Sequence, residues 1–440
     1  MTRYCFHALD AAQRGSVMLR LAACCIELVV ILSLLGTGAL AADASYGGPT
    51  ALDKRVSAIP AKRILSQSPT ALVDPARQRA AQSLVRFTRP VWFVWTFSQI
   101  LVLLYLWRSG RGARLRDFLR RHINNVYALR FLFGAALAFV TQIATLPAAF
   151  FDYRLFRIVG LSTETFGNWV NDTLISYGLT MLVTGTFVTV VLTLVDRTHL
   201  WYLYVMAGVL ATAFFLSFVN PIVIEPLFNH YTLLREDRPL ARRLRALTRS
   251  VGLGDLPLYV SDLSRRSRTG NAYVVGLGSS KRIVLGDTLL ATATDDEIVF
   301  TLAHELGHQV HRDVWRGTIF GSIVFIFGAA IAVLVADRIG FRRDEDALSR
   351  LTLVGSLLLA ISVISMPLVN GFSRIIEADA DRFAMQVDRD PVAGARTFIR
   401  FADDGMALVC PSRLARVYFY DHPPLGSRIA ALTGQRNPCP

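Results

Sequence analysis

The sequence predicts a mostly α-helical integral membrane protein, with about seven transmembrane helices and an α+β extramembrane domain assembled from two separate stretches, 225–316 and 374–440. Three observations carry that prediction. Hydrophobic residues make up 53% of the 440-residue chain and charged residues only 18%, against about a quarter charged in soluble globular domains. Seven apolar runs near 20 residues long lie at 21–42, 90–107, 131–151, 173–195, 200–224, 317–336 and 351–373, and the last six contain no charged residue. The last two runs form a hairpin, so the polar stretches on either side of it emerge on the same face and can build one domain.

Taken in order, the first run (1–42 with its leader) carries Glu27 and ends "GTGALAADAS". Basic residues precede it and small ones close it, which is a signal-peptide pattern with a cut after Ala41; an uncleaved first transmembrane helix is the alternative. Residues 43–89 are polar and read as an extramembrane loop with some helix. Four transmembrane helices follow over 90–224, interrupted by the short basic loop "RSGRGARLRDFLRRHINNVYALR" at 108–130. Within 225–316, "RPLARRLRALTRSVGL" has helical spacing, and "LPLYVS", "NAYVVG" and "RIVLG" are short β-rich runs between polar turns. "TDDEIVF" opens another helix, with Thr294 as its cap and Glu297 as capping-box partner. The hairpin 317–373 leads to the second part of the domain, 374–440. Gln142, Thr180 and Asn220 stand inside the apolar runs; they either line a polar space or bond between helices.

The basic balance, formally +14, is almost all arginine: Lys54, Lys62 and Lys281 are the lysines. The arginines lie mainly between apolar runs, as juxtamembrane anchors do, and no aromatic-interleaved basic patch marks a nucleic-acid partner. About fifteen Arg and Lys fall on the face receiving 1–20, 108–130, 196–199 and 338–350, and about ten on the other. The positive-inside rule tilts the domain away from the cytoplasm but leaves its side open. Of five cysteines, Cys410 and Cys439 share the C-terminal stretch, either as a disulfide in an oxidising compartment or as two free thiols.

The chemistry starts at "TLAHELGHQVH", residues 301–311. On a helix, positions i and i+4 share a face, so His304 and His308 can point imidazoles at one metal with Glu305 beside them as general base. His311 lies seven residues beyond His304, about 10 Å along the axis, too far to share a zinc bonded at about 2 Å. A carboxylate from a second helix is the better third ligand. "SRIIEADADRFAMQV" follows the last apolar run, and its Glu377 and Asp381 share a face. Glu377 as ligand with Asp381 behind a ligand histidine gives His₂Glu coordination with an outer partner. The bland reading is a solvated acidic face.

"HELGH" with "SRIIEADADRFA" resembles the zinc metallopeptidases of peptidase family M48. "LPAAFFDYRLFRIVGLSTETFGNWVND", "NPIVIEPLFNHYTLL", "RSRTGNAYVVGLGSSKRIVLGDTLL" and "DHPPLGSRIAAL" extend the resemblance to that family's integral-membrane members, the CAAX prenyl proteases, from about residue 145 onward. The resemblance implies a zincin-like domain, one zinc ion per chain on His304, His308 and Glu377, and Glu305 as general base. It implies that Asn271, Ala272 and Tyr273 form an edge strand that pairs with an extended substrate. It also implies that His422 stabilises the oxyanion and that Arg428 supports the same network. On residues alone, Asn271 reads equally as a turn residue and His422 as a packed histidine.

The expected partners are a peptide or membrane-protein substrate and the lipid bilayer. The arginine bias and signal-like start point to a bacterial plasma or inner membrane, where quality control of membrane proteins is the alternative to CAAX cleavage. A non-catalytic channel or transporter with a structural metal site is the rival from another class.

Overall fold

The computed structural model describes residues 54–339 and 346–440. The apolar run 21–42, with its two readings, lies outside them. Among the described residues, six helical segments are long and apolar enough to cross a membrane. They are α3 (Pro75–Arg108), α5 (Val126–Ile158), α6 (Phe166–Arg197), α7 (Trp201–Val219, continued by irregular turns to Leu227), α11 (Asp313–Ile339) and α12 (Ala347–Val387). The short helices α1 (Ala61–Ser66) and α2 (Pro69–Leu72) precede them, and α4 (Arg111–His122) fills the basic loop.

Most of the spanning helices run past their apolar runs. Asp74 caps α3, accepting from Ala76 N at 2.7 Å, although the apolar run starts only at 90. Asn125 caps α5 and Thr165 caps α6 in the same way. Pro90, Pro147 and Pro367 sit inside helices, as is tolerated where neighbours re-satisfy the backbone. The α5–α6 contact is close because Gly185 has no side chain: a Cβ there would stand 2.8 Å from the Phe131 carbonyl oxygen. Gln142 bonds between these two helices, exchanging contacts with Tyr177 (2.9 and 3.4 Å). Thr180 bonds back to Ser176 O and Asn220 to Glu225, so one of the three polar positions bonds between helices and two bond locally.

The extramembrane part holds α8 (Pro239–Ser250), α9 (Asp287–Thr292), α10 (Asp295–Val310), α13 (Pro391–Asp404), α14 (Arg413–Phe419) and α15 (Leu425–Thr433). Its sheet has the order β1-β2-β4-β3, where β1 is Tyr231–Leu233, β2 Leu258–Ser261, β3 Ala272–Val275 and β4 Arg282–Gly286. The predicted runs supply β2, β3 and β4. The three-residue β1 is too short to show alternation and was not predicted. Strands β2 and β4 run parallel, and the core strand β4 buries Ile283, Val284 and Leu285 completely, as a covered parallel strand does. Among the described residues, strand β3 pairs antiparallel with β4 alone, Ala272 opposite Leu285, and so forms an edge.

Two findings differ from the sequence reading. The segment from Val56 to Val73 is not a free loop: Val56, Ile59, Ile64 and Leu72 are buried against Phe300, Phe398 and Ile429. Thr294 does cap α10, accepting from Glu297 N, but Glu297 makes no capping box. Its carboxylate turns inward to Arg400 on α13, at 2.7 Å from Nε, with both side chains almost wholly buried. A buried guanidinium offers that carboxylate charge-assisted bonds that a backbone N–H does not.

Candidate metal centre

The centre is where α10 meets α12. Gly307 permits the contact: a Cβ at this position would come within 3.1 Å of the Ala380 Cα and 3.2 Å of Phe383. Larger residues would push apart the two helices that carry the polar groups. On α10, His304 and His308 project from one face, and their Nε2 atoms lie 3.3 Å apart. From α12, Glu377 presents Oε2 at 3.2 Å from His304 Nε2 and Oε1 at 3.5 Å from His308 Nε2. Among the described residues these three form the group able to hold a metal ion, their donor atoms all within 4.8 Å of one another.

Each imidazole is held from behind. His304 Nδ1 lies 2.9 Å from Asp381 Oδ1, and Arg428 grips Asp381 through two bonds of 2.7 and 2.6 Å. His308 Nδ1 lies 2.9 Å from Asp313 Oδ2, whose other oxygen accepts from Arg316 at 2.7 Å. A carboxylate at Nδ1 keeps the proton there and leaves Nε2 as a lone pair. Two such lone pairs and a carboxylate then face a single point. Glu377 Oε2 is buried there without a well-directed hydrogen bond. A donor set of two neutral imidazoles and one carboxylate around an orphaned oxygen fits a zinc ion. Burial works against charging His304, yet Asp381 and Glu377 outweigh it and push its pKa up to about 9, so a proton and a metal ion compete for the Nε2 lone pair. The centre favours positive charge.

Glu305 lies in this group's field, surrounded by His304, His308, Glu377 and His422, and burial pushes its carboxyl above the ordinary range. His422 is half exposed, with Nε2 3.2 Å from Glu377 Oε2 and Nδ1 2.8 Å from Asp421. Arg428 does not join His422; it is buried behind His304, over the Phe398 ring at 4.0 Å. His311 is outside the group, its ring 5.5 Å from that of Phe383 at the end of α10.

The edge strand β3 lies against α10. Asn271 is exposed at its start, and the Asn271 carbonyl accepts from Gly286 N at 2.8 Å. Ala272 is buried. The Tyr273 hydroxyl lies 3.3 Å from that of Tyr231, which donates to Glu225. The Tyr273 side chain thus anchors the strand and leaves its backbone edge free.

Sequence reasoning missed Asp313. It follows Arg312, whose left-handed backbone (φ 58°) ends α10 and turns the next helix so that Asp313 reaches back to His308. The available signal was an acid soon after the histidine motif.

The sequence model of peptidase family M48 matches residues 234–436, and that of the CAAX prenyl protease N-terminal region, described as five membrane helices, matches 70–230. The "Uncharacterized metalloprotease YhfN" of Bacillus subtilis is 27% identical over 87% of this chain and 91% of its own. CAAX prenyl protease 1 of Saccharomyces cerevisiae is 26% identical over 71% of this chain and 74% of its own. The crystal structure of S. mikatae Ste24p superposes with a TM-score of 0.71, covering 92% of this chain and 98% of that one at 22% identity. The fold is shared at that level.

Proposed function

The chain belongs to peptidase family M48 as a multi-pass membrane metallopeptidase of the CAAX prenyl protease type, and from that premise we propose a zinc endopeptidase in which His304, His308 and Glu377 hold one ion and Glu305 is the general base. The observation that carries this reading is the convergence of three donor groups within 4.8 Å, with each imidazole backed by its own carboxylate. A zinc ion at that point supplies Lewis acidity, lowering the pKa of a water and polarising the scissile carbonyl.

The chain's own residues do the rest. Glu305, with its carboxyl raised by burial, takes a proton from the attacking water and delivers it to the leaving amine. His422 donates an Nε2–H bond to the carbonyl oxygen as negative charge grows there, with Asp421 2.8 Å from its Nδ1. Asp381 and Arg428 fix the His304 ring, and Asp313 fixes that of His308. The substrate is an extended peptide, or an unfolded segment of a membrane protein, that adds to the free edge of β3 beginning at Asn271. Replacing Glu305 by Gln tests the reading: the protein should keep zinc and lose cleavage.

We place the catalytic face outside the cytoplasm. Cys410 and Cys439 are joined as a disulfide, Cα to Cα 4.9 Å, which persists in oxidising compartments. The prediction is checked in right-side-out vesicles with a membrane-impermeant maleimide, on protein whose Cys5, Cys24 and Cys25 are replaced by serine. Labelling should appear only after an impermeant reductant is added. Labelling confined to inverted vesicles would put the face in the cytoplasm.

A further inference from the structure

Beyond the N-terminal end of β3 the structure has a second feature with no part in the chemistry above. A cavity of about 480 Å³ opens between α3, α5, α6 and the loop that leads into β3. Its walls include the rings of Trp95, Tyr153 and Trp169 together with the Asp152 carboxylate. Trp169 is fixed by its neighbours, stacked on Tyr153 at 5.2 Å and on Phe166 at 5.8 Å, with Phe150 edge-on at 5.6 Å.

Asp152 is the anomaly. It is the first charged residue after the apolar run 131–151, and among the described residues its buried Oδ1 has no hydrogen-bond partner. Arg266 shares the cavity wall but points to Asp172 at 2.6 Å and to Asn229 at 2.9 Å and makes no bond to Asp152, while Glu164 adds a second carboxylate to the wall. A buried carboxylate oxygen without a partner is costly, and aromatic faces around it add attraction for a cation. An aromatic belt at the membrane surface would have these rings turned to lipid. Trp95 is partly exposed, but Tyr153 and Trp169 are half-buried and share the cavity wall with Ser267 and Thr269 of the extramembrane domain.

We propose that this cavity is a subsite for a cationic side chain, arginine or lysine, of the substrate peptide. Thr269 in the cavity wall precedes Ala272 by three residues, a span of no more than about 10 Å, so a peptide on the edge of β3 can continue towards the cavity. The inference rests on the endopeptidase reading for the direction of the peptide, and the cation recognition rests on Asp152 and the rings.

The test uses neutral peptides of about eight residues in which arginine or norleucine is scanned through each position. Binding is measured by fluorescence anisotropy on the Glu305→Gln protein, and cleavage on the wild type. At one position arginine should bind roughly tenfold tighter than norleucine, the scale of a desolvated cation–π contact. That ratio should fall below about twofold in the isosteric Asp152→Asn variant and survive in Asp152→Glu. No preference at any position, or a preference that persists in Asp152→Asn, would overturn the proposal. Cleavage without a preference sinks the subsite alone; a binding preference without cleavage sinks the endopeptidase reading alone.

Discussion

Replacing Glu377 by Ala should reduce bound zinc from about one ion per chain to a small fraction, and cleavage should fall with it. Glu377 is the only donor of the three that does not come from α10, and its two oxygens reach both imidazoles at 3.2 and 3.5 Å. Without it, two histidines remain, one ligand short of the three protein groups that catalytic zinc sites use. His311→Ala is the informative partner. His311 lies on the same helix as the other two histidines, but its ring is spent on Phe383, so that variant should keep both its zinc and its activity. Zinc is read by elemental analysis of purified protein. A His311→Ala protein that loses zinc while Glu377→Ala retains it would reverse the ligand assignment.

Arg400→Ala should cost about 3–5 kcal/mol of folding stability, the range for removing one partner of a buried ion pair. Arg400 and Glu297 have side chains only 2% and 1% exposed, and the guanidinium also reaches Ser57 Oγ at 3.1 Å. The substitution therefore strands a carboxylate at the start of the helix that carries His304. It also removes a tie to the N-terminal segment packed over the core. Denaturant unfolding in detergent measures the loss. The double variant Arg400→Met with Glu297→Leu should recover much of it, because apolar groups of similar volume leave no unpaired charge. A loss below about 1 kcal/mol for Arg400→Ala would mean that the pair is not buried in solution as it is here.

Much of this was readable from the sequence because the signals were local. Uncharged apolar runs mark spanning helices wherever they occur, and the i, i+4 spacing of His304 and His308 fixes their shared face before any tertiary contact forms. Glu377 was legible for a related reason: Asp381 repeats its face one turn later, and the hairpin between the two motifs returns the chain to the same side. The unread parts depend on long-range contact. Glu297 looked like a capping-box residue because the local rule knows only Thr294, whereas Arg400 is 103 residues away. Arg428 was read only as support for the site; its bond to Asp381, 47 residues earlier, was not legible. Val56 to Val73 read as an extramembrane loop with some helix, and its burial was not legible because its apolar residues are spaced too irregularly to show a face. Asp313 depends on one left-handed residue, Arg312, that no propensity predicts.

The central claim is that Glu305 acts on the proton and not on the metal, and a single side-by-side measurement on purified protein addresses it. Wild type and Glu305→Gln are compared for zinc content and for cleavage of an unstructured reporter peptide. The glutamine side chain preserves the shape of the glutamate and removes its ability to take a proton, so zinc should stay near one per chain while the cleavage rate drops by a factor of about 10² to 10⁴. Equal cleavage by both proteins would contradict the mechanism, and loss of zinc together with activity would make Glu305 part of the metal site.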